Sequence, residues 1–181
     1  MTKIRRFATA SMQLIDIMNL KPEQIHLDDL AHHLAKEQRY GGSTPIDVSY
    51  SVGEHSINLA NWAFRFSEKL AKVALVHDMS EAYLKDMISP VKLSLPDYLA
   101  LEEYVQNIMY IKYLEYIPHT DNVIYGWDKQ MLLDEVEVIF AGVPGALEVY
   151  KGEAPGLEKL GCHIEFDNHP STTKACFLTM C

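Results

Sequence analysis

Between Val52 and Phe66 apolar residues return at steps of three and four, through Val52, Leu59, Trp62 and Phe66, and His55 falls on the same stripe. That period belongs to a helix with one face in a core, and it is incompatible with a strand, whose side chains alternate. Comparable periodicity marks Asp28 to about Gln38, a helix capped by Ser67 through Leu70, Val73, Ala74 and His77, and a long one from Leu95-Pro96-Asp97 to about Tyr116. Another runs from about Asn122 to Phe140, where Asp128 shares a stripe with Ile124, Met131 and Val138. With no confident run of alternating residues and no internal repeat, the expected fold is an all-α, compact helical bundle.

The breaks agree with this reading. Arg39-Tyr40-Gly41-Gly42-Ser43-Thr44-Pro45 ends one helix in a loop, and the next should begin near Tyr50 or Ser51. Ser80 starts a turn carrying Glu81 and Tyr83, Pro90 bends the chain, and Pro118 ends the long helix. Beyond Gly142 the sequence reads as loops around a short helix, and after Gly161 it is poorly patterned.

A length of 181 residues suits a single domain (1–181) able to enclose a site without disulfides, the motif-bearing part covering about 27–140. Cys162, Cys176 and Cys181 are odd in number and form no C-x-x-C pair, so free thiols are expected. The first residues lack an apolar stretch with a cleavage site, and no long apolar run follows, so the expected location is the cytoplasm, with no membrane partner. A net charge of −9 disfavours polymeric nucleic acid, whose binding rests on clustered Lys and Arg. A small anionic ligand stays compatible, because a bound cation reverses the field locally.

His55 and Asp128 are polar intrusions on separate core stripes, and burying such groups unpaired costs several kcal/mol, roughly. His77 and Asp78 are adjacent, and Glu81 follows them by four and three residues, so one helical turn gathers all three. In a bundle these segments converge, and two imidazoles with two carboxylates suit Mn, Co, Ni, Fe or Zn as divalent ions. Such an ion activates water and polarises a phosphoryl group, with Glu81 placed to orient or deprotonate the water. A rival cluster, His26, Asp28, Asp29, His32 and His33, reads as solvated surface, since adjacent His32 and His33 point apart on a helix.

The stretches Tyr50-Ser-Val-Gly-Glu-His55-Ser, Val76-His77-Asp78-Met-Ser-Glu81-Ala-Tyr83 and Gly126-Trp-Asp128 together resemble the HD-domain nucleotide phosphohydrolases. Within them the likeness is greatest to short phage and prophage members that include a deoxyadenosine triphosphate triphosphohydrolase. The resemblance implies that His55, His77, Asp78 and Asp128 are metal ligands, that Glu81 is the catalytic carboxylate and that Asp86 is a second acid in the pocket. It further implies phosphate or sugar contact by Arg39 and polyphosphate contact by Lys92. Tyr40 would stack on or bound a nucleobase, or alternatively serve as a core anchor. The implied cofactor is a divalent ion (Co, Mn, Zn, Ni, Fe or Mg), and the implied partners are a deoxynucleotide and further copies of the chain in a homo-oligomer. Two departures stand out: Ser43 and Tyr125 occupy positions where relatives carry a histidine and a basic residue.

The implied reaction converts dATP to deoxyadenosine and tripolyphosphate. A 5′-deoxynucleotidase acting on monophosphates cleaves the same ester, and a nucleotide sensor without turnover is the alternative of another class.

Overall fold

The computed structural model describes residues 6–119 and 123–181. Helices dominate: α1 (Leu27–Leu34), α2 (Val52–Phe64), α3 (Glu68–Val76), α4 (Glu81–Leu84), α5 (Ser89–Leu93), α6 (Pro96–Leu114), α7 (Val123–Ile139), α8 (Ala146–Glu153) and α9 (Pro170–Met180). The all-α expectation holds, with the addition of a small antiparallel hairpin, β1 (Arg6–Ala8) and β2 (Leu14–Asp16). Strands of three residues are too short for alternation to register in the sequence.

Helix α2 is the central element. Ser51 caps it in a reciprocal box, its hydroxyl accepting from Glu54 N at 3.2 Å while Glu54 Oε2 accepts from Ser51 N at 2.7 Å. Residues Val52 to Ala60 are all buried, so α2 is enclosed on nearly every side. It packs chiefly on α3, which Ser67 caps through Leu70 N at 3.1 Å. Gly53 permits a close crossing: a Cβ there would lie 3.0 Å from Thr173 Cγ2 and 3.2 Å from the backbone at the end of α1. One apolar cluster runs from Ile15 through Leu59, Met79, Met109 and Met131 to Phe177.

Several boundaries differ from the sequence reading. Helix α1 starts at Leu27 behind His26, one residue ahead of the expected Asp28 cap, and ends at Leu34 instead of continuing to Gln38. Residues 37–39 are instead drawn into an antiparallel bridge between Gln38 and Ser51, with Arg39 N donating to Tyr50 O and Val52 N to Glu37 O. This pairing lays Arg39 beside the start of α2. Pro90 lies in the first turn of α5, where its missing N–H costs nothing, and the expected start of α7 at Asn122 lies outside the described residues.

The tail after Gly161 is also more ordered than its pattern suggests. Helix α9 packs on α1 and α2, burying Thr173 and Phe177. The strap before it is held by side chains: Asn58 bonds both N and O of Glu165, Asp134 takes the amides of Leu160 and Gly161, and Glu54 takes Asn168 N. Among the described residues no helix is long and apolar enough to cross a membrane.

Candidate metal centre

His55 comes from the first half of α2, His77 caps the end of α3, Asp78 opens the turn into α4, and Asp128 lies in the second turn of α7. The segments converge as expected, although Phe66, expected on the core stripe of α2, lies past the end of the helix and is exposed. His55 Nε2 lies 3.2 Å from His77 Nε2, 3.7 Å from Asp78 Oδ2 and 3.1 Å from Asp128 Oδ1. His77 Nε2 lies 3.1 Å from Asp78 Oδ2 and 3.9 Å from Asp128 Oδ1. Bonds of about 2.1 Å to a shared ion place neighbouring ligands about 3.0 Å apart in an octahedron and about 3.4 Å apart in a tetrahedron. Three of the observed spacings, 3.1, 3.1 and 3.2 Å, fall in that interval and two, 3.7 and 3.9 Å, lie above it, and His55, His77 and Asp78 form a group able to hold a metal ion.

The ring orientations fit the same donor set. His77 Nδ1 lies 2.6 Å from the carbonyl of Ala74, which only accepts, so Nδ1 bears a hydrogen and Nε2 is the nitrogen that faces the cluster. His55 Nδ1 is held by Glu135 Oε1, leaving its Nε2 turned toward the cluster. Both imidazoles thus have the outer hydrogen bond that fixes metal-ligating histidines. Burial disfavours a charged His77, yet Asp78 and Asp128 outweigh it and hold its pKa well above the ordinary value. For Asp128 burial is outweighed by His55 and His77, which pull its pKa well below the usual carboxylate range. The two carboxylates thus favour positive charge within the cluster.

Glu81 stands on the first turn of α4, buried, with Lys92 Nζ 3.9 Å from its Oε1. Its Oε2 is buried and receives no hydrogen bond among the described residues. Burial, then the nearby charges of Asp78 and Asp86, raise its pKa well above that of a free glutamate, against the pull of Arg39 and Lys92. A buried carboxyl with one oxygen unpartnered and a raised pKa beside a His/Asp cluster is an environment that suits a general acid or base. Asp86 is half-buried, and its pKa too is raised, by burial first and by Asp78.

Arg39 and Lys92 both reach this region. Arg39 Nη1 lies 3.5 Å from Asp78 Oδ2 and Nη2 3.5 Å from Glu135 Oε2. Lys92, on α5, pairs with Glu102 of α6 at 2.7 Å. Lys85 pairs with Glu37. Tyr40 is placed differently from a stacking platform: its hydroxyl donates to Glu135 Oε2 at 2.8 Å and its ring meets Phe140 and Tyr150 edge-on. These are the contacts of the anchor alternative. Its φ of 59° is in the left-handed region, a conformation that the tether to Glu135 helps to hold.

Glu135 was not singled out from the sequence, although it follows Asp128 by seven residues, two turns along one face of α7. It is fully buried, accepts from Tyr50 and Tyr40, meets His55 Nδ1 and forms an ion pair with Arg39. Burial alone would raise its pKa, but Arg39 and His55 hold it at about 2.

The rival cluster near α1 has a different use, and its reading as solvated surface fails at Asp29. Buried Asp29 accepts from Ser11 N at 2.8 Å and Ser11 Oγ at 2.7 Å, and His33 Nε2 accepts from Ala10 N, so both pin the hairpin. Asp28 pairs with Lys174 of α9. The three cysteines are free, as expected. A surface cleft of about 250 Å³ between α2 and the strap is lined by Asn58, Trp62, Arg65 and His163, and by none of the candidate ligands.

No family model matches the chain. It is 33% identical over 104 residues to an uncharacterised protein of Rhodobacter capsulatus, a match covering 55% of this chain and 53% of that protein. It is 31% identical over 94 residues to the uncharacterised protein YfdR of Escherichia coli, covering 52% of this chain and 50% of YfdR. The chain therefore spans about half the length of the curated relatives it matches.

Proposed function

We propose that the protein is a metal-dependent phosphohydrolase of the HD kind that cleaves the 5′ phosphate ester of a deoxynucleotide. The observation that carries this reading is the convergence of His55 Nε2, His77 Nε2, Asp78 and Asp128, beside a buried carboxyl, Glu81, whose Oε2 has no hydrogen-bond partner among the described residues. A divalent ion held by these four residues would supply Lewis acidity toward a phosphoryl oxygen and toward the attacking water. Glu81, whose pKa is raised by burial and by the charges of Asp78 and Asp86, would accept the proton of that water. Arg39 and Lys92 bring positive charge to the phosphate, and Asp86 adds a second carboxyl that is half-buried beside them.

The reading favoured for the substrate is dATP, giving deoxyadenosine and tripolyphosphate, and it rests on the sequence resemblance. The scarcity of identified cations near the site, Arg39 and Lys92 with Lys85 diverted to Glu37, favours keeping the monophosphate reading beside it. Incubation of Mn²⁺- or Co²⁺-loaded protein with deoxynucleoside mono-, di- and triphosphates, followed by chromatographic identification of the inorganic product, separates them. Tripolyphosphate from dATP supports the first reading, and orthophosphate from monophosphates alone supports the second. Nucleotide binding without turnover by the metal-loaded protein would overturn both in favour of a sensor.

A further inference from the structure

One helix grips both nitrogens of His55. Asp128, near the start of α7, lies 3.1 Å from Nε2, while Glu135, about 10.5 Å further along the axis at 1.5 Å per residue, holds Nδ1. The two carboxylates lie on the same face of α7 because seven residues are close to two turns. His55 is fully buried between them.

Glu135 is surrounded by donors. Oε1 faces His55 Nδ1 and the hydroxyl of Tyr50 at 2.8 Å, and Oε2 faces the hydroxyl of Tyr40 at 2.8 Å and Arg39 Nη2 at 3.5 Å. Each of these four groups has a hydrogen to give, and an ionised carboxylate is the form with an acceptor for each. The Nδ1 hydrogen of His55 is thereby held by Glu135, and Nε2 is the nitrogen turned toward His77, Asp78 and Asp128. Three of the four contacts would already satisfy a buried charge, whereas the fourth acts on the ring that joins the metal cluster.

We infer that Glu135 is a positioning residue of the metal centre: it fixes His55 in the tautomer and orientation that present Nε2 to the ion, and through Oε2 it ties Arg39 to the same frame. The inference rests on the metal-centre reading above. Glu135→Gln keeps the side-chain volume but replaces one acceptor by an N–H₂ donor. In either amide orientation a donor then faces His55 Nδ1 on one side or Tyr40 and Arg39 on the other. Tyr50→Phe serves as the control, because it removes another donor to Oε1 without changing what His55 meets.

The test is zinc affinity by competition with a chromophoric chelator, together with the ¹⁵N resonances of the His55 ring in the zinc-loaded, diamagnetic protein. The Glu135→Gln variant is expected to bind zinc about 10- to 100-fold more weakly, the usual consequence of losing an outer partner of a ligating histidine. Its His55 resonances should depart from the pattern of hydrogen on Nδ1 and metal on Nε2, and Tyr50→Phe should stay within a few-fold of wild type, roughly. Circular dichroism of the metal-free proteins establishes folding. Should Glu135→Gln not fold, Glu135→Asp, which keeps the charge but withdraws it from His55, is expected to show the same weakening. A folded variant with wild-type affinity and unchanged His55 resonances overturns the positioning role alone. A wild-type protein that binds no zinc through His55 overturns the metal centre itself.

Discussion

Asp128→Asn removes one negative charge from the cluster while keeping the side chain's size, and its consequence can be worked through thermal stability. Asp128 Oδ1 sits 3.1 Å from His55 Nε2 and 3.9 Å from His77 Nε2, a position from which it would share an ion held by those rings. A ligand present at about 100 times its dissociation constant stabilises the folded chain by about 2.7 kcal/mol. For a chain of this size about 1 kcal/mol moves Tm by roughly 2–4 °C, so the wild-type protein should gain about 5–10 °C under those conditions. Losing an outer partner weakens metal affinity by about 10- to 100-fold, and loss of a charged ligand should cost at least that. At about 100-fold, the same metal concentration equals the variant's dissociation constant, the stabilisation falls to about 0.4 kcal/mol, and the shift shrinks to about 1–2 °C. Differential scanning fluorimetry with and without Mn²⁺ or Zn²⁺ reads both values. Equal shifts in the two proteins would refute the assignment of Asp128 to the centre.

Other perturbations probe separate parts of the molecule. Glu81→Gln should lower the turnover of a metal-loaded substrate assay by about 100-fold or more while leaving the metal dissociation constant within a few-fold, because its role is proton transfer and not ligation. Gly53→Ala should destabilise the fold by about 1–3 kcal/mol in chemical denaturation, since the new methyl would sit 3.0 Å from Thr173 Cγ2 and 3.2 Å from backbone atoms of α1. Asp29 loses solvation on burial, but the Ser11 and Thr9 hydroxyls and the Ser11 amide outweigh that and lower its pKa from 3.8. A depressed folded pKa contributes stability above the unfolded value that is lost as pH falls through the folded one. Asp29→Asn should therefore cost about 2 kcal/mol near pH 7, and the difference from wild type should shrink below about pH 4 in urea titrations.

The parts of the site visible in the sequence are those set by helical geometry within one segment. His55 on the α2 stripe and Asp128 on the α7 stripe required only a period of 3.6, and His77, Asp78 and Glu81 required only adjacency. Arg39 arrives by another route: the Gln38–Ser51 bridge is a pairing between two loops, with no periodic signal in either. Tyr40 shows the same limit, because its tether is 95 residues away in the chain, on Glu135. Glu135 itself lay within reach, since it shares the face of Asp128, but a glutamate late in a helix also reads as ordinary surface charge. The strap and α9 escaped because side chains of α2 and α7 hold the strap's backbone, and α9 buries only Thr173 and Phe177. Such partners are chosen by tertiary contact, not by local pattern.

The location of the metal is the most direct test. Anomalous diffraction from a crystal soaked with zinc should show a peak about 2.0–2.2 Å from the Nε2 atoms of His55 and His77 and from the carboxylates of Asp78 and Asp128. A peak elsewhere on the chain, or none at these four residues, would contradict the metal centre.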